Sequence, residues 1–299
     1  MKRRSVLTLL GLMPLAAVPR MRALAQYVLP PLQEAPALAA RVAAGTLPPL
    51  AARLPRNPAI ALFDRPGQTV GRYGGDIVTL MARAQDVRLM FVYGYARLVR
   101  FDHHFDLVPD ILESVEVQEG RVFTLRLREG HRWSDGQPFT AEDFRYFWED
   151  VANDAELRPT GPPEELRVRG KLPAFAVLDA WTVRYAWEEP NPTFLTALAG
   201  AAPLLIYRPA HYLRRFHKRH ADPAALDAMV KAEGVPFWAA LHNKRDNQYR
   251  FDNPELPTLQ PWIGITAGPS ERFLFERNPY FHRVDPEGRQ LPYVDRWVM

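Results

Sequence analysis

The sequence predicts an α/β fold, and three stretches carry that prediction. In residues 119–148, Phe123, Leu125 and Leu127 alternate with Thr124, Arg126 and Arg128, so a strand here puts its apolar residues on one face and its charges on the other. A capped helix follows. Thr140 stands at the N-cap, Glu142 and Asp143 fall in the first turn, and Phe144, Phe147, Trp148 and Val151 recur at helical spacing as one apolar stripe that needs a sheet to cover. The second stretch, Phe175–Leu178 with Trp181–Trp187, reads as a hairpin about Asp179-Ala180, with Val183, Tyr185 and Trp187 on one face. In the third, helices opened by Pro209 and by Asp222-Pro223, the latter closed by Gly234, give way to a strand at Arg272–Glu276.

Between the first strand and its helix, Ser134-Asp135-Gly136 supplies a turn in which Asp bonds its own backbone and Gly takes positive φ, while Pro138 keeps the next residues extended. Glu119-Gly120 closes a hairpin onto Ser114–Val117. The wording of this segment is more specific than its periodicity. Leu127-Arg128, Gly130, Trp133-Ser134-Asp135-Gly136, Pro138-Phe139-Thr140-Ala141 and Asp143-Phe144 together resemble the signature of the family 5 extracellular solute-binding proteins, which serve ABC importers of oligopeptides and dipeptides. Glu276-Arg277-Asn278-Pro279-Tyr280-Phe281, the turn Asp285-Pro286-Glu287-Gly288 and Leu291-Pro292-Tyr293-Val294-Asp295 resemble the same family.

The resemblance implies a type II periplasmic-binding-protein lobe, a mixed sheet with flanking helices and a smaller subdomain of hairpins. Members are roughly twice as long, because two lobes close around ligand by a hinge motion. The second lobe is therefore expected to be missing, the chain being either part of such a protein or a truncated, non-binding product. Residues 1–25 are then a signal peptide, 26–70 an N-terminal helix and proline-rich arm, 71–290 lobe I with its hairpin subdomain, and 291–299 a hinge strand leading towards the absent lobe II. The last strand, Tyr293–Met299, is expected to lack its natural partners.

Lys2-Arg3-Arg4 form a basic n-region, Val6 to Val18 an apolar stretch too short to span as a mature helix, and Ala23-Leu24-Ala25 a cleavage site before Gln26. Arg3-Arg4-Ser5-Val6-Leu7 also resembles a twin-arginine signal, with an ordinary secretory signal as the alternative. Of 38 basic and 34 acidic residues, Lys2, Arg3, Arg4, Arg20 and Arg22 leave with this leader, so 33 basic residues face 34 acidic ones. The high pI is thus no evidence for a nucleic-acid partner. Cysteine is absent, which excludes disulfides, thiolate metal sites, a cysteine nucleophile and the lipidated cysteine of a membrane-tethered binding protein. A soluble periplasmic monomer is expected.

Glu34–Ala44 reads as a helix stopped by Gly45, and the prolines of Leu47–Pro58 force extended geometry, either as an ordered arm on the domain surface or as a linker. Arg72-Tyr73-Gly74-Gly75-Asp76-Ile77-Val78 looks like the family's first core strand; its glycine pair lacks the spacing of a phosphate-binding loop. Tyr93 and Tyr95 flank Gly94 in a region that, by the resemblance, ends near the ligand cleft. Each is a candidate ligand contact, with core or rim packing as the alternative. Trp148 is a third candidate, with its helical stripe arguing for the core.

His217 and His220 lie one turn apart, with His211 further back, and a shared metal ion is one reading. Arg214, Arg215, Lys218 and Arg219 surround them and no carboxylate follows before Asp222, so a solvated surface without metal is expected instead. No G-x-S-x-G or H-E-x-x-H constellation occurs, so neither a catalytic residue nor a cofactor is expected. The function implied by the resemblance is capture of short peptides between lobes and presentation to an ABC permease in the inner membrane. An oligosaccharide or galactoside ligand is the alternative, since some relatives with the proline-rich arm are sugar receptors.

Overall fold

The computed structural model describes residues 31–299 apart from residue 64. The expected signal peptide lies outside these residues. Among them the chain runs through helices α1 (Pro36–Ala43) and α2 (Leu50–Arg53), strands β1 (Ala59–Ile60) and β2 (Asp76–Val78), helix α3 (Leu89–Gly94), and strands β3 (Val99–Phe101), β4 (Leu107–Pro109), β5 (Leu112–Gln118) and β6 (Val122–Leu127). Helix α4 (Ala141–Tyr146) follows, then strands β7 (Ala174–Asp179) and β8 (Thr182–Ala186). Helices α5 (Phe194–Ala199), α6 (Ala210–Leu213), α7 (Pro223–Ala232) and α8 (Trp238–Arg245) lead to strands β9 (Trp262–Gly264), β10 (Leu274–Arg277), β11 (Arg283–Val284) and β12 (Arg296–Val298). The fold is α/β, as expected.

Alternation builds the first sheet, an antiparallel array in the order β5-β6-β8-β7. Leu125 sits opposite Val183 and Phe123 opposite Tyr185, so the apolar faces of both predicted hairpins coincide. Helix α4 covers that face. Its start is fixed by a reciprocal cap, in which Thr140 Oγ1 accepts from Glu142 N–H at 3.3 Å and Asp143 Oδ2 accepts from Thr140 N–H at 2.9 Å. Asp143 also accepts from Ala210 N–H (3.1 Å) and Trp133 Nε1–H (3.3 Å), tying the turn, α4 and α6 to one carboxylate. Phe144, Phe147 and Val151 are buried with Trp133, Phe139 and Tyr185 in the largest core. The turn at Gly136 takes φ +86°, the conformation that glycine tolerates. After Tyr146 the helix widens into a π-helical turn, Phe147–Ala152.

The second sheet is mixed, with the order β2-β12-β10-β9. Strand β12 runs parallel to β2 and antiparallel to β10. The expectation of an unpartnered last strand is therefore corrected: β12 is an interior strand, paired on both sides within this sheet. Met90, Phe91, Phe251, Trp262, Phe273 and Phe275 bury one face. On the other, Asp76, Arg296 and Glu276 stand in a cross-strand row.

The arm is ordered and partly helical. Pro49 precedes the single turn of α2, and Arg53 within it is fully buried, donating to Pro48 O at 2.9 Å and Pro279 O at 2.6 Å while pairing with Glu34. Strand β1 then pairs parallel with β11. An extended arm lying on the surface thus becomes a segment sewn into residues 279–290, because a buried guanidinium needs acceptors that the proline carbonyls supply.

Candidate functional site

Strand β2 forms an edge of the mixed sheet, with β12 on one side and no strand on the other among the described residues. Thr79 N–H donates to Val298 O, and Gly75 O accepts from Asp295 N–H, both at 2.9–3.0 Å, towards β12. Peptide groups alternate direction along a strand, so those of Asp76 and Val78 point to the open side. The chain beyond is strongly exposed, with Val78 at 72% and Leu80 at 96%. An open edge bearing apolar side chains is a template for another extended chain.

Beside this edge stands an aromatic pair. Tyr93 near the end of α3 stacks on Trp297 of β12, centroids 5.1 Å apart and planes 4° from parallel. Trp262 meets Trp297 edge-on at 5.7 Å, and Trp297 Nε1 donates to Thr79 Oγ1 at 2.9 Å. The pair is thereby fixed to β9 and to the residue that follows β2. Gly94 makes the arrangement possible: a Cβ there would lie 2.8 Å from both Gln260 Oε1 and Pro261 Cδ. Gln260 bonds both Ala96 N–H and Ala96 O, at 3.2 and 3.0 Å.

The three sequence candidates do not converge. Tyr93 is about half exposed, at 48%, and belongs to the edge. Tyr95 turns away in a left-handed conformation (φ +42°), donates its hydroxyl to Ala199 O at 2.9 Å, and stacks under Arg97. Trp148 is half-buried on the hairpin sheet, 5.6 Å from Phe175 and 6.1 Å from Tyr185. Nothing local in the sequence marks Trp297, a tryptophan whose partner is brought over by sheet pairing.

The other end of β2 opens into a cavity of about 620 Å³, walled by Arg41 of α1 and by Asp76, Glu276, Arg277, Asp295 and Arg296. Arg296 holds both oxygens of Asp76, at 2.9 and 2.8 Å. Charges of both signs face this space.

The histidine-bearing segment differs from the solvated surface expected of it. His217 is fully buried, and burial lowers its pKa. Three of the four cations around it pair with carboxylates, Arg214 with Glu142, Lys218 with Glu156, and Arg219 with Asp150 and Asp154, while Arg215 lies over the rings of Tyr212 and Phe216. His211 goes elsewhere, to Asp135 at 2.7 Å.

Residues 106–299 match the family described as bacterial extracellular solute-binding proteins, family 5 Middle. The chain is similar to the periplasmic alpha-galactoside-binding protein of Rhizobium meliloti (strain 1021), 26% identical over 279 residues that cover 85% of this chain and 37% of that protein. Over 127 residues it is 44% identical to the periplasmic oligopeptide-binding protein OppA of Escherichia coli (strain K12), covering 38% of this chain and 23% of that one. A solved structure of an oligopeptide-binding protein OppA superposes with a TM-score of 0.78 at 32% identity, over 89% of this chain and 41% of that one. The binding protein MelB of Agrobacterium fabrum C58, solved in complex with stachyose, shares the fold at a TM-score of 0.69 and 23% identity, over 90% of this chain and 40% of that one. The chain thus spans less than half the length of the relatives it matches. With 106–299 amounting to well over half of its residues, this chain belongs to the family 5 bacterial extracellular solute-binding proteins.

Proposed function

We propose that the protein is a periplasmic substrate-binding component of an ABC importer, that it captures short peptides without chemistry, and that it presents them to an inner-membrane permease. The observation that carries this reading is the open edge of β2, where Asp76 and Val78 direct unpaired peptide groups outward beside the Tyr93–Trp297 stack. An extended peptide adds to such an edge by main-chain hydrogen bonds, which are indifferent to sequence, and places alternate side chains in flanking pockets. The mixed-charge cavity at the other end of β2 suits charged side chains or termini. Tyr93 is the ligand contact in this reading, whereas Tyr95 bonds Ala199 O and Trp148 packs on the hairpin sheet, away from the edge.

An oligosaccharide ligand is the second reading, favoured by the half-exposed ring of Tyr93 held flat on Trp297, a surface on which a sugar ring stacks. Similarity to proteins named for alpha-galactoside and stachyose supports it. Titration calorimetry of the protein isolated from its native host separates the two. Saturable heat from a tri- to pentapeptide mixture, with none from raffinose or stachyose, is the expected result. Saturation by sugar alone would overturn the peptide reading.

A further inference from the structure

We propose that Asp150, His217 and His220 form a binding site for a divalent transition cation of the zinc class, separate from the β2 edge. Asp150 leaves the main helix on its π-helical turn, Phe147–Ala152, a local widening that recurs at functional sites. Its carboxylate is buried, at 4% exposure. Oδ1 accepts from Arg219 Nη1 at 3.1 Å, but the equally buried Oδ2 has no hydrogen-bond partner. His220 Nε2 lies 3.2 Å from that orphan oxygen without hydrogen-bond alignment. This separation is close to the edge of a tetrahedron, about 3.3 Å, that ligands at about 2.0–2.1 Å from zinc describe.

His217 completes the set. Its Nε2 donates to Asp150 O at 2.9 Å, which fixes the tautomer and leaves Nδ1 with its lone pair. Metal-ligating histidines are held in this way, by the ring nitrogen that does not touch the metal. The lone pair now takes a 3.1 Å bond from Arg219 N–H, which a cation would replace. Ligand atoms of all three residues lie within 4.8 Å of one another. Two imidazoles and one carboxylate leave an open fourth position, a donor set that suits zinc and its neighbours rather than magnesium or calcium.

The surrounding charge permits a dication. Lys218 and Arg214 are held by Glu156 and Glu142. Arg219 faces Asp150, and its half-exposed guanidinium already lies 3.7 Å from Asp154 Oδ2, where it can remain when a cation takes Asp150. Bound metal would clamp the π turn to the 217–220 turn.

The test titrates Zn²⁺ into untagged, EDTA-stripped protein by calorimetry and follows thermal unfolding with and without the ion. One equivalent bound, with a raised Tm, is expected. His220→Gln, at an exposed position, and the near-isosteric Asp150→Asn should each weaken binding by at least about tenfold, with the metal-free Tm of His220→Gln unchanged. A second histidine pair, His103 and His104, lies in the turn between β3 and β4 with ring centroids 3.7 Å apart, and the double variant His103→Gln/His104→Gln should bind as before. Absence of stoichiometric binding, affinity undiminished in His220→Gln, or binding lost only in the His103/His104 variant would overturn the proposal.

Discussion

Arg283 holds Asp110 through two hydrogen bonds, Nε to Oδ1 at 2.8 Å and Nη2 to Oδ2 at 2.6 Å, across 173 residues of chain. Asp110 is completely buried between β4 and β5, and it also accepts from Arg97 N–H at 2.9 Å and His282 Nε2 at 3.0 Å. One carboxylate therefore pins the hairpin subdomain to β11 and, through it, to the arm. Removing one partner of a buried pair leaves the other charge uncompensated, a cost of about 3–5 kcal/mol. Asp110→Ala is expected to lower unfolding free energy in urea by that order, and a loss under about 1 kcal/mol would show that the pair is not needed.

Two buried imidazoles should weaken the protein in acid. Burial, against the pull of Asp110, lowers His282 to about 4, and burial with the neighbouring His282 charge puts His131 well below the usual imidazole range. Below pH about 6.5 the unfolded chain binds protons on these rings and the folded chain does not. Their contribution is complete above pH 6.5 and falls as pH drops towards 4, by about 3 kcal/mol at most for His282. Asp110 acts in a lower window. Burial pushes it up, but Arg283 and His282 outweigh burial and hold it well below the carboxylate range, so its contribution is lost only as pH falls below about 3.9. Burial raises Asp143, to about 7, and Asp246, and both act in the opposite direction over the same window, so the ring is read by difference: between pH 7 and 4 His282→Gln should lose less stability than the parent protein. Equal pH dependence of the two would contradict the assignment of a neutral buried ring.

Asp143 should matter more than an ordinary cap. It accepts from Thr140, Ala210 and Trp133, all at buried or half-buried positions. Thr140→Ala removes one capping acceptor and should cost about 1 kcal/mol. Asp143→Ala leaves several donors without acceptors and should cost about 3 kcal/mol. Equal losses in denaturant would mean that Asp143 acts only as a helix cap.

Gly94→Ala should loosen both the fold and the edge. The new Cβ would press on Gln260 and Pro261, an overpacking cost of about 1–3 kcal/mol, and it would displace Tyr93 from Trp297. The tryptophan emission of the variant should change along with its stability. Unchanged emission would mean that the stack does not depend on the close approach at Gly94.

What could be read from the sequence was local. Thr140 and Asp143 lie three residues apart, and Phe123 to Leu127 and Val183 to Trp187 alternate within single strands, so the cap, both hairpins and their shared core follow from spacing alone. The family wording lay in Leu127–Phe144 and again in Glu276–Asp295. What could not be read depends on residues far apart in the chain. Nothing near Arg296–Val298 indicates that it inserts between β2 and β10, since register comes from partners twenty or more residues before it and more than two hundred away. For the same reason Tyr93 was visible as a candidate and Trp297 was not. The histidines looked solvated because their carboxylate, Asp150, arrives from another helix, and the neighbouring cations looked free because Glu142 and Glu156 arrive with it.

Hydrogen exchange at the backbone amides of Asp76 and Val78 tests the central claim most directly. With saturating tripeptide both amides should gain protection, while Ile77 and Thr79, whose amides face β12, should change little. Unchanged exchange at Asp76 and Val78 in the peptide-bound protein, or protection produced by stachyose and not by peptide, would contradict capture of a peptide at this edge.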